Sequence, residues 1–244
     1  MRTPRIYTSQ KLMSSTIVEL GPEPSRHLAR ALRIQEGDSL TLFDGHGGEY
    51  PATVTAVDKK CVQVQVGSLL SRECESALHI HMGIALSRGD RMDWVIQKAT
   101  ELGVSSMTPL VTERSGVKLR GERAEKKLRH WQQIAISACE QCGRNRLPVI
   151  QVLQPLGDWL EHTEAERKFV LHHRADNNPL ASPVPASVAL LVGPEGGLDS
   201  AEILAAEDHG FNSLRLGPRI LRTETAPLAA IAILQSYWGD MTPG

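Results

Sequence analysis

Between residues 38 and 67, apolar and polar positions alternate in three short runs. Residues 39–43 alternate, Asp44-Gly45-His46-Gly47-Gly48 turns the chain, 49–57 alternates again, and Asp58-Lys59-Lys60 turns it back. Val62, Val64 and Val66 then fall on one face of a third run over 61–66. A period of two with tight turns predicts a β-meander, and strands this short predict a small barrel. Ahead of it, Leu28, Leu32 and Ile34 mark a short helix over 27–34 with Ser25 as its cap, and a basic arm comes before that.

Beyond a polar stretch at 69–77 the period changes. Residues 78–86 read as a strand. Met92, Val95, Ile96, Ala99 and Leu102 then share one face of a helix over 90–102 that Gly103 stops. Strands follow at 107–111, 149–152, 169–172, 188–192 and 214–216. Helices alternate with them at 122–142, 156–162, 200–208 (capped by Asp199, ended by Gly210) and 225–238, where Pro227 sits in the first turn. Strand–helix alternation of this kind predicts an α/β architecture, a mostly parallel sheet with helices on both faces. The boundary between the two regions falls in the polar stretch, giving domains 1–72 and 73–244.

Composition adds little until it is divided by segment. Apolar residues make up 41% and charged residues 23% of 244 residues, ordinary values for a folded chain, and the net charge of −1 argues against a globally basic nucleic-acid binder. Residues 1–35, however, carry six Lys or Arg against two acids, and 113–148 carry nine against four, whereas 151–212 carry three against ten. The basic segments are either solvated helix faces or local contacts for phosphate. No apolar run reaches the roughly 20 residues of a membrane span, and the charged N-terminus has no apolar stretch behind it. The expectation is therefore a soluble, cytoplasmic protein. Cys139 and Cys142 fall inside one helix, and Cys61 and Cys74 form no second pair, so no metal is expected. His79 and His81 alternate on a strand, as partly buried, hydrogen-bonded histidines do. Trp94, Trp131, Trp159 and Trp238 are scattered like core or interface anchors.

Two segments carry candidate chemistry. In Leu191-Val192-Gly193-Pro194-Glu195-Gly196-Gly197-Leu198 a buried strand runs into a glycine-rich loop that opens a helix. Ligands of open α/β sheets bind there, and glycines let the backbone approach them. The spacing fits neither a dinucleotide fingerprint nor a phosphate loop, and a plain tight turn is the alternative. In Leu216-Gly217-Pro218-Arg219-Ile220-Leu221-Arg222-Thr223-Glu224-Thr225-Ala226 another strand end leads into a helix. Its apolar pair suits an adenine-sized wall and its arginines suit a phosphate or developing anion. Glu224 is also readable as a first-turn acid facing the helix dipole.

Together these segments resemble the knotted methyltransferases of the SPOUT superfamily, and specifically the small-subunit ribosomal RNA methyltransferase E family. Further matching blocks are Arg88-Gly89-Asp90-Arg91-Met92 with Gln97-Lys98-Ala99-Thr100-Glu101-Leu102-Gly103, Glu113-Arg114-Ser115 with Val117-Lys118-Leu119, Ala138-Cys139-Glu140-Gln141-Cys142-Gly143-Arg144, Arg5-Ile6-Tyr7 and Leu42-Phe43-Asp44-Gly45. The likeness spans nearly the whole chain. It implies a PUA-like RNA-binding barrel over 1–72 and, over 73–244, a methyltransferase domain with a deep C-terminal trefoil knot. It also implies a homodimer that uses S-adenosylmethionine to methylate N3 of a uridine near the 3′ end of 16S ribosomal RNA in the assembled 30S subunit. A non-catalytic ribosome-binding protein, or a methyltransferase for another RNA base, would share the scaffold; the intact glycine loop disfavours the first and the N-terminal barrel the second.

The resemblance assigns the cofactor to three loops: Leu171 and His172; Gly193, Pro194, Glu195, Gly196 and Gly197; and Leu216, Gly217, Ile220, Leu221, Arg222, Thr225 and Ala226. Adenine is expected between Leu216 and Leu221. Uridine N3 carries a proton and is a poor nucleophile until it leaves, which puts negative charge on O2 and O4. Arg222 is the expected cation for that charge, and Glu195 and Glu224 are candidate bases, with solvent as the alternative acceptor. RNA contacts are expected from Arg2, Arg5, Arg30, Arg33, Arg88, Arg114, Lys118, Arg120, Arg123 and Arg144.

Overall fold

The computed structural model describes residues 3–58, 61–116, 119–172 and 183–241. Arg2 and Lys118 lie outside them. The chain forms two compact units, one of Met1–Glu75 with Cys139–Leu147 and one of Ser76–Ala138 with Pro148–Gly244. The end of the long helix and the loop after it thus belong with the N-terminal residues.

In the first unit, strands β1 (Arg5–Tyr7), β2 (Ile17–Glu19), β3 (Ser39–Phe43), β4 (Tyr50–Val57) and β5 (Val62–Val66) form a sheet in the order β1-β3-β4-β5-β2. The meander stands as read, and the arm before it is partly a strand, with β1 parallel to β3. Among the described residues β1 and β2 share no hydrogen bonds, so the sheet is an open meander around one core that includes Ile6, Leu28, Leu42, Val54 and Val64. The short helix differs from expectation. A helical turn α1 (Pro22–Arg26) widens into a π-type segment over His27–Leu32, which ends at Arg33 in the left-handed region (φ 51°). Ser25 is no cap: its hydroxyl donates to the Leu20 carbonyl and accepts from the Val62 N–H, joining the helical turn to β5.

The second unit follows the α/β reading. Strands β6 (His79–Ala85), β7 (Ser106–Val111), β8 (Val149–Ile150), β9 (Gln154–Pro155), β10 (Arg167–Leu171), β11 (Ser187–Val192) and β12 (Asn212–Leu214) form a parallel sheet. Its order is β12-β10-β11-β6-β7-β8, with β9 also on β7. Period two sorts its side chains. Ile80, Met82, Ile84, Val188, Leu190 and Val192 face α2 (Arg91–Glu101), α6 (Thr225–Trp238) and residues Trp131 and Ala135 of α3 (Glu122–Cys142). Val170, Ala189 and Leu191 face α4 (Leu156–His162) and α5 (Ser200–Asp208). Gly83 makes room for Trp159, whose ring lies 2.6 Å from where a Cβ would stand. Trp159 in turn donates its indole N–H to His81 Nε2 (3.3 Å), and Thr108 Oγ1 lies 2.9 Å from the same nitrogen. Burial lowers the His81 pKa, so the ring is neutral in the fold. The last strand ends two residues earlier than the sequence predicts, at Leu214, which frees Arg215 and Leu216 for the loop beyond.

Candidate functional site

Adjacent strands β12, β10 and β11 deliver their carboxyl ends side by side, and the backbone beyond each lines one cavity of about 460 Å³. Leu171 ends β10 and His172 follows it, Gly193, Pro194, Glu195, Gly196, Gly197 and Leu198 follow β11, and Leu214 ends β12 with Arg215, Leu216 and Gly217 after it. Ile220, Leu221, Thr223 and Ala226 continue the lining towards α6. The volume lies within the roughly 300–1,000 Å³ of small-molecule sites. The glycine loop is close-packed: a Cβ on Gly193 would stand 2.9 Å from the Leu198 nitrogen and 3.0 Å from its Cγ, and Gly197 has φ of 68°. Asp199 then caps α5 through a complete capping box. Its carboxylate accepts from the Glu202 N–H (2.8 Å), and Glu202 accepts from the Asp199 N–H (2.9 Å). The second Glu202 oxygen accepts from the Glu113 N–H (2.8 Å), tying the loop after β7 to the same helix start.

Beside this cavity lies a second, of about 680 Å³, lined by Arg88, Gly89, Asp90, Arg91, Arg114, Gly116, Glu195 and Gly196. Arg114, Glu195 and Gly196 line both. One Arg114 N–H donates to the Gly196 carbonyl at 2.9 Å. Glu195 accepts from the Arg88 backbone N–H (2.9 Å) and from the Arg91 guanidinium (2.6 Å). Arg91 also lies 3.5 Å from Glu224, so it bridges the acids of two loops. Partial burial pushes the Glu195 carboxyl up. Hydrogen bonds from the Arg88 and Glu195 backbone N–H groups and from Arg91 outweigh it and hold the carboxyl below its ordinary value.

The structure gathers most of the expected cofactor residues into one cavity and leaves out two. Arg222 is exposed and lines neither cavity; its carbonyl accepts from the Thr225 and Ala226 N–H groups (2.9 Å each), so it opens α6. Thr225 likewise lies off the lining. The two candidate bases are both engaged with Arg91, and Glu195 is a stabilised anion and thus a weak proton acceptor. Among the expected RNA contacts, Arg30, Arg33, Arg88, Arg114, Arg120 and Arg123 are exposed. Arg5 and Arg144 do not fit that role. The Arg5 side chain is 7% exposed, paired with Glu49, bonded to Asn145 Oδ1 (2.7 Å) and set over the Phe43 ring. The Arg144 side chain is 6% exposed and bonds Glu75 through two nitrogens (3.0 and 2.7 Å).

Arg91 lines the second cavity and Arg215 and Ile203 the first, and none of the three was expected as a site residue, whereas Thr223 lines the first cavity from within the expected segment 216–226. Arg91 had a physical signal: a cation at a helix N-terminus opposes the macrodipole and needs an acid nearby. Among the described residues no group of three or more His, Cys, Asp or Glu is arranged to hold a metal ion. Burial pushes the Cys139 thiol up to about 12, which leaves it inert. No helix of the described residues is long and apolar enough to cross a membrane.

Comparison with known proteins gives this site a context. A family model described as an RNA methyltransferase domain matches residues 74–235, and one described as an RNA methyltransferase PUA domain matches 21–67. The ribosomal RNA small subunit methyltransferase E of Buchnera aphidicola (from Acyrthosiphon pisum) is 33% identical, covering 98% of this chain and 95% of its own. The enzyme of that name from Neisseria gonorrhoeae, solved bound to S-adenosylmethionine, matches with a TM-score of 0.94 and 39% identity over 99% of this chain and 100% of the other. A Legionella pneumophila methyltransferase solved with the cofactor SAM bound matches with a TM-score of 0.94 and 42% identity over the same shares.

Proposed function

Because this chain belongs to the ribosomal RNA small subunit methyltransferase E family, we propose that it transfers a methyl group from S-adenosylmethionine to N3 of a uridine near the 3′ end of 16S ribosomal RNA, acting on the assembled small subunit. The cavity at the ends of β12, β10 and β11 carries this reading, because its lining fits that cofactor. Leu216 and Leu221 offer an apolar wall for adenine. Ile220, 82% exposed at the rim, offers aliphatic surface for a ligand to cover. A side chain at Gly193 would run into Leu198 and displace the glycine loop that this reading gives to the rest of the cofactor.

When bound, the cofactor supplies a methyl group on a positively charged sulfur. The protein must hold donor and acceptor in line and manage a proton. The shared wall of the two cavities, Arg114, Glu195 and Gly196, is where donor and acceptor sites adjoin in this reading. With Glu195 committed to Arg88 and Arg91, and Glu224 near Arg91, the N3 proton passes to solvent. Arg91 holds the glycine loop and the turn before α6 in register through its two acids.

The same reading extends to the rest of the chain. The meander of the first unit acts as a PUA-like RNA-binding domain, with exposed Arg30 and Arg33 available to phosphates, and the boundary between domains lies near residue 72. Arg120 and Arg123 extend the basic surface beyond Arg114. The C-terminal part is knotted, in keeping with a chain that runs out to β12 beyond β10 and returns through α6 to pack on α2. The protein works as a cytoplasmic homodimer, for which exposed Trp94 on α2 and Tyr237 on α6 are candidate contacts. Incubating the protein with labelled S-adenosylmethionine and small subunits lacking the modification, followed by nucleoside analysis, tests the proposal. Label in 3-methyluridine is expected. No incorporation, or label in another nucleoside, overturns it.

A further inference from the structure

Methyl transfer to N3 creates a demand that the expected residue does not meet. The N3–H bond breaks and its proton leaves to solvent, the nitrogen pair forms a bond to the methyl carbon, and the carbon–sulfur bond breaks to leave a neutral thioether. Before transfer, the base carries negative charge over O2 and O4, and a preorganised cation beside it lowers the barrier. Arg222, exposed and outside both cavities, is badly placed for this.

Three arginines line the second cavity, and they differ in what their charge already does. Arg91 is tied up, 2.6 Å from Glu195 and 3.5 Å from Glu224. Arg88 lines the second cavity alone, with its side chain packed against Gly116. Arg114 lines both cavities, at the wall where methyl donor and acceptor adjoin. Among the described residues its guanidinium faces no carboxylate, and the hydrogen bond it makes goes to the neutral Gly196 carbonyl. Hydrogen bonds tie down the loop that carries it. Its turn is closed by the Ser115 N–H on the Thr112 carbonyl (3.1 Å) and by the Thr112 N–H on the Ser115 hydroxyl (3.1 Å). The Glu113 N–H is fixed by Glu202.

We infer that the acceptor uridine occupies the cavity lined by Arg88, Gly89 and Gly116, and that Arg114 is the catalytic cation that holds its negative charge when N3 loses its proton. This rests on the uridine-N3 reading above. It makes Arg114 an electrostatic catalyst that shifts the bound base towards its reactive anion, with a fork of donors suited to an imide oxygen.

The discriminating readout is the pH dependence of single-turnover methyl transfer at saturating small subunit, from pH about 6 to about 9. In R114Q the rate at neutral pH should fall about a hundredfold. The rise of rate with pH should move up by about one unit or more, because the base must reach its anion unaided. R114K keeps a charge and should restore part of both. Calorimetry should show S-adenosylmethionine affinity for R114Q within about twofold of wild type, which separates lost catalysis from a disturbed glycine loop. An active wild type with an unmoved R114Q profile, or a shift produced by R222Q instead, overturns this inference and leaves the uridine-N3 reading standing. A wild type that labels no 3-methyluridine overturns both.

Discussion

Arg5 and Arg144 in the first unit and Arg88 and Arg114 in the second are all expected RNA contacts, and all but Arg88 lie in segments of net positive charge. The first pair is buried against Glu49 and Glu75, where each arginine completes an internal ion pair. The second pair is exposed, and neither guanidinium faces a carboxylate among the described residues. The difference lies in the partners. Glu49 and Glu75 sit far from Arg5 and Arg144 along the chain, so a segment count of charge cannot see them. A basic segment signals phosphate contact only after its acids in space are subtracted.

The largest expected break in that comparison is Arg5→Ala. It strands the Glu49 carboxylate, 9% exposed, with Arg72 at 3.4 Å as its remaining cation, and should cost about 3–5 kcal/mol in denaturant titrations. Arg114→Gln should shift the same titration by less than about 0.5 kcal/mol, as exposed substitutions do. Equal losses for the two variants would erase the distinction between structural and available arginines.

Gly193→Val comes next. Its side chain meets the Leu198 backbone, and overpacking of about 1–3 kcal/mol in the loop corresponds to a cofactor affinity about tenfold weaker or worse. Calorimetric titration reads it directly. Glu202→Ala removes the capping box and the tether on Glu113 together. It should cost about 1 kcal/mol of stability and slow methyl transfer through the loosened Arg114 turn. Unchanged transfer would mean that the Thr112–Ser115 turn holds Arg114 alone.

The smallest effect concerns pH. Burial lowers the His81 pKa below its ordinary 6.5, so the unfolded chain binds a proton that the folded chain refuses. Stability from this group is whole above pH 6.5 and is lost as pH falls through the folded value. The thermal midpoint of wild type should therefore drop more between pH 7.5 and pH 5.5 than that of His81→Gln. Equal drops would assign the acid sensitivity to other groups.

Most of the second unit was legible because its strands and helices have strong periods: α3, α4, α5 and α6 begin and end where apolar spacing, Asp199 and the stopping residues put them. β1, β2 and β9 escaped because two or three residues carry no period, and their strand character comes from pairing partners elsewhere in the chain. The π-type widening after Arg26 escaped for a similar reason: Ser25 bonds to Leu20 and Val62 instead of capping. At the site, the backbone loops were legible from glycines at strand ends. The side-chain roles were less so, because Arg222 lies within the motif yet lines neither cavity, while Arg114 reaches both from the loop after β7.

Co-crystallising this chain with S-adenosylmethionine tests the centre of the account. The cofactor is expected in the cavity at the ends of β12, β10 and β11, with adenine between Leu216 and Leu221 and the remainder along Gly193 to Gly197. Cofactor bound anywhere else on the chain, or none bound at saturating concentration, would contradict it.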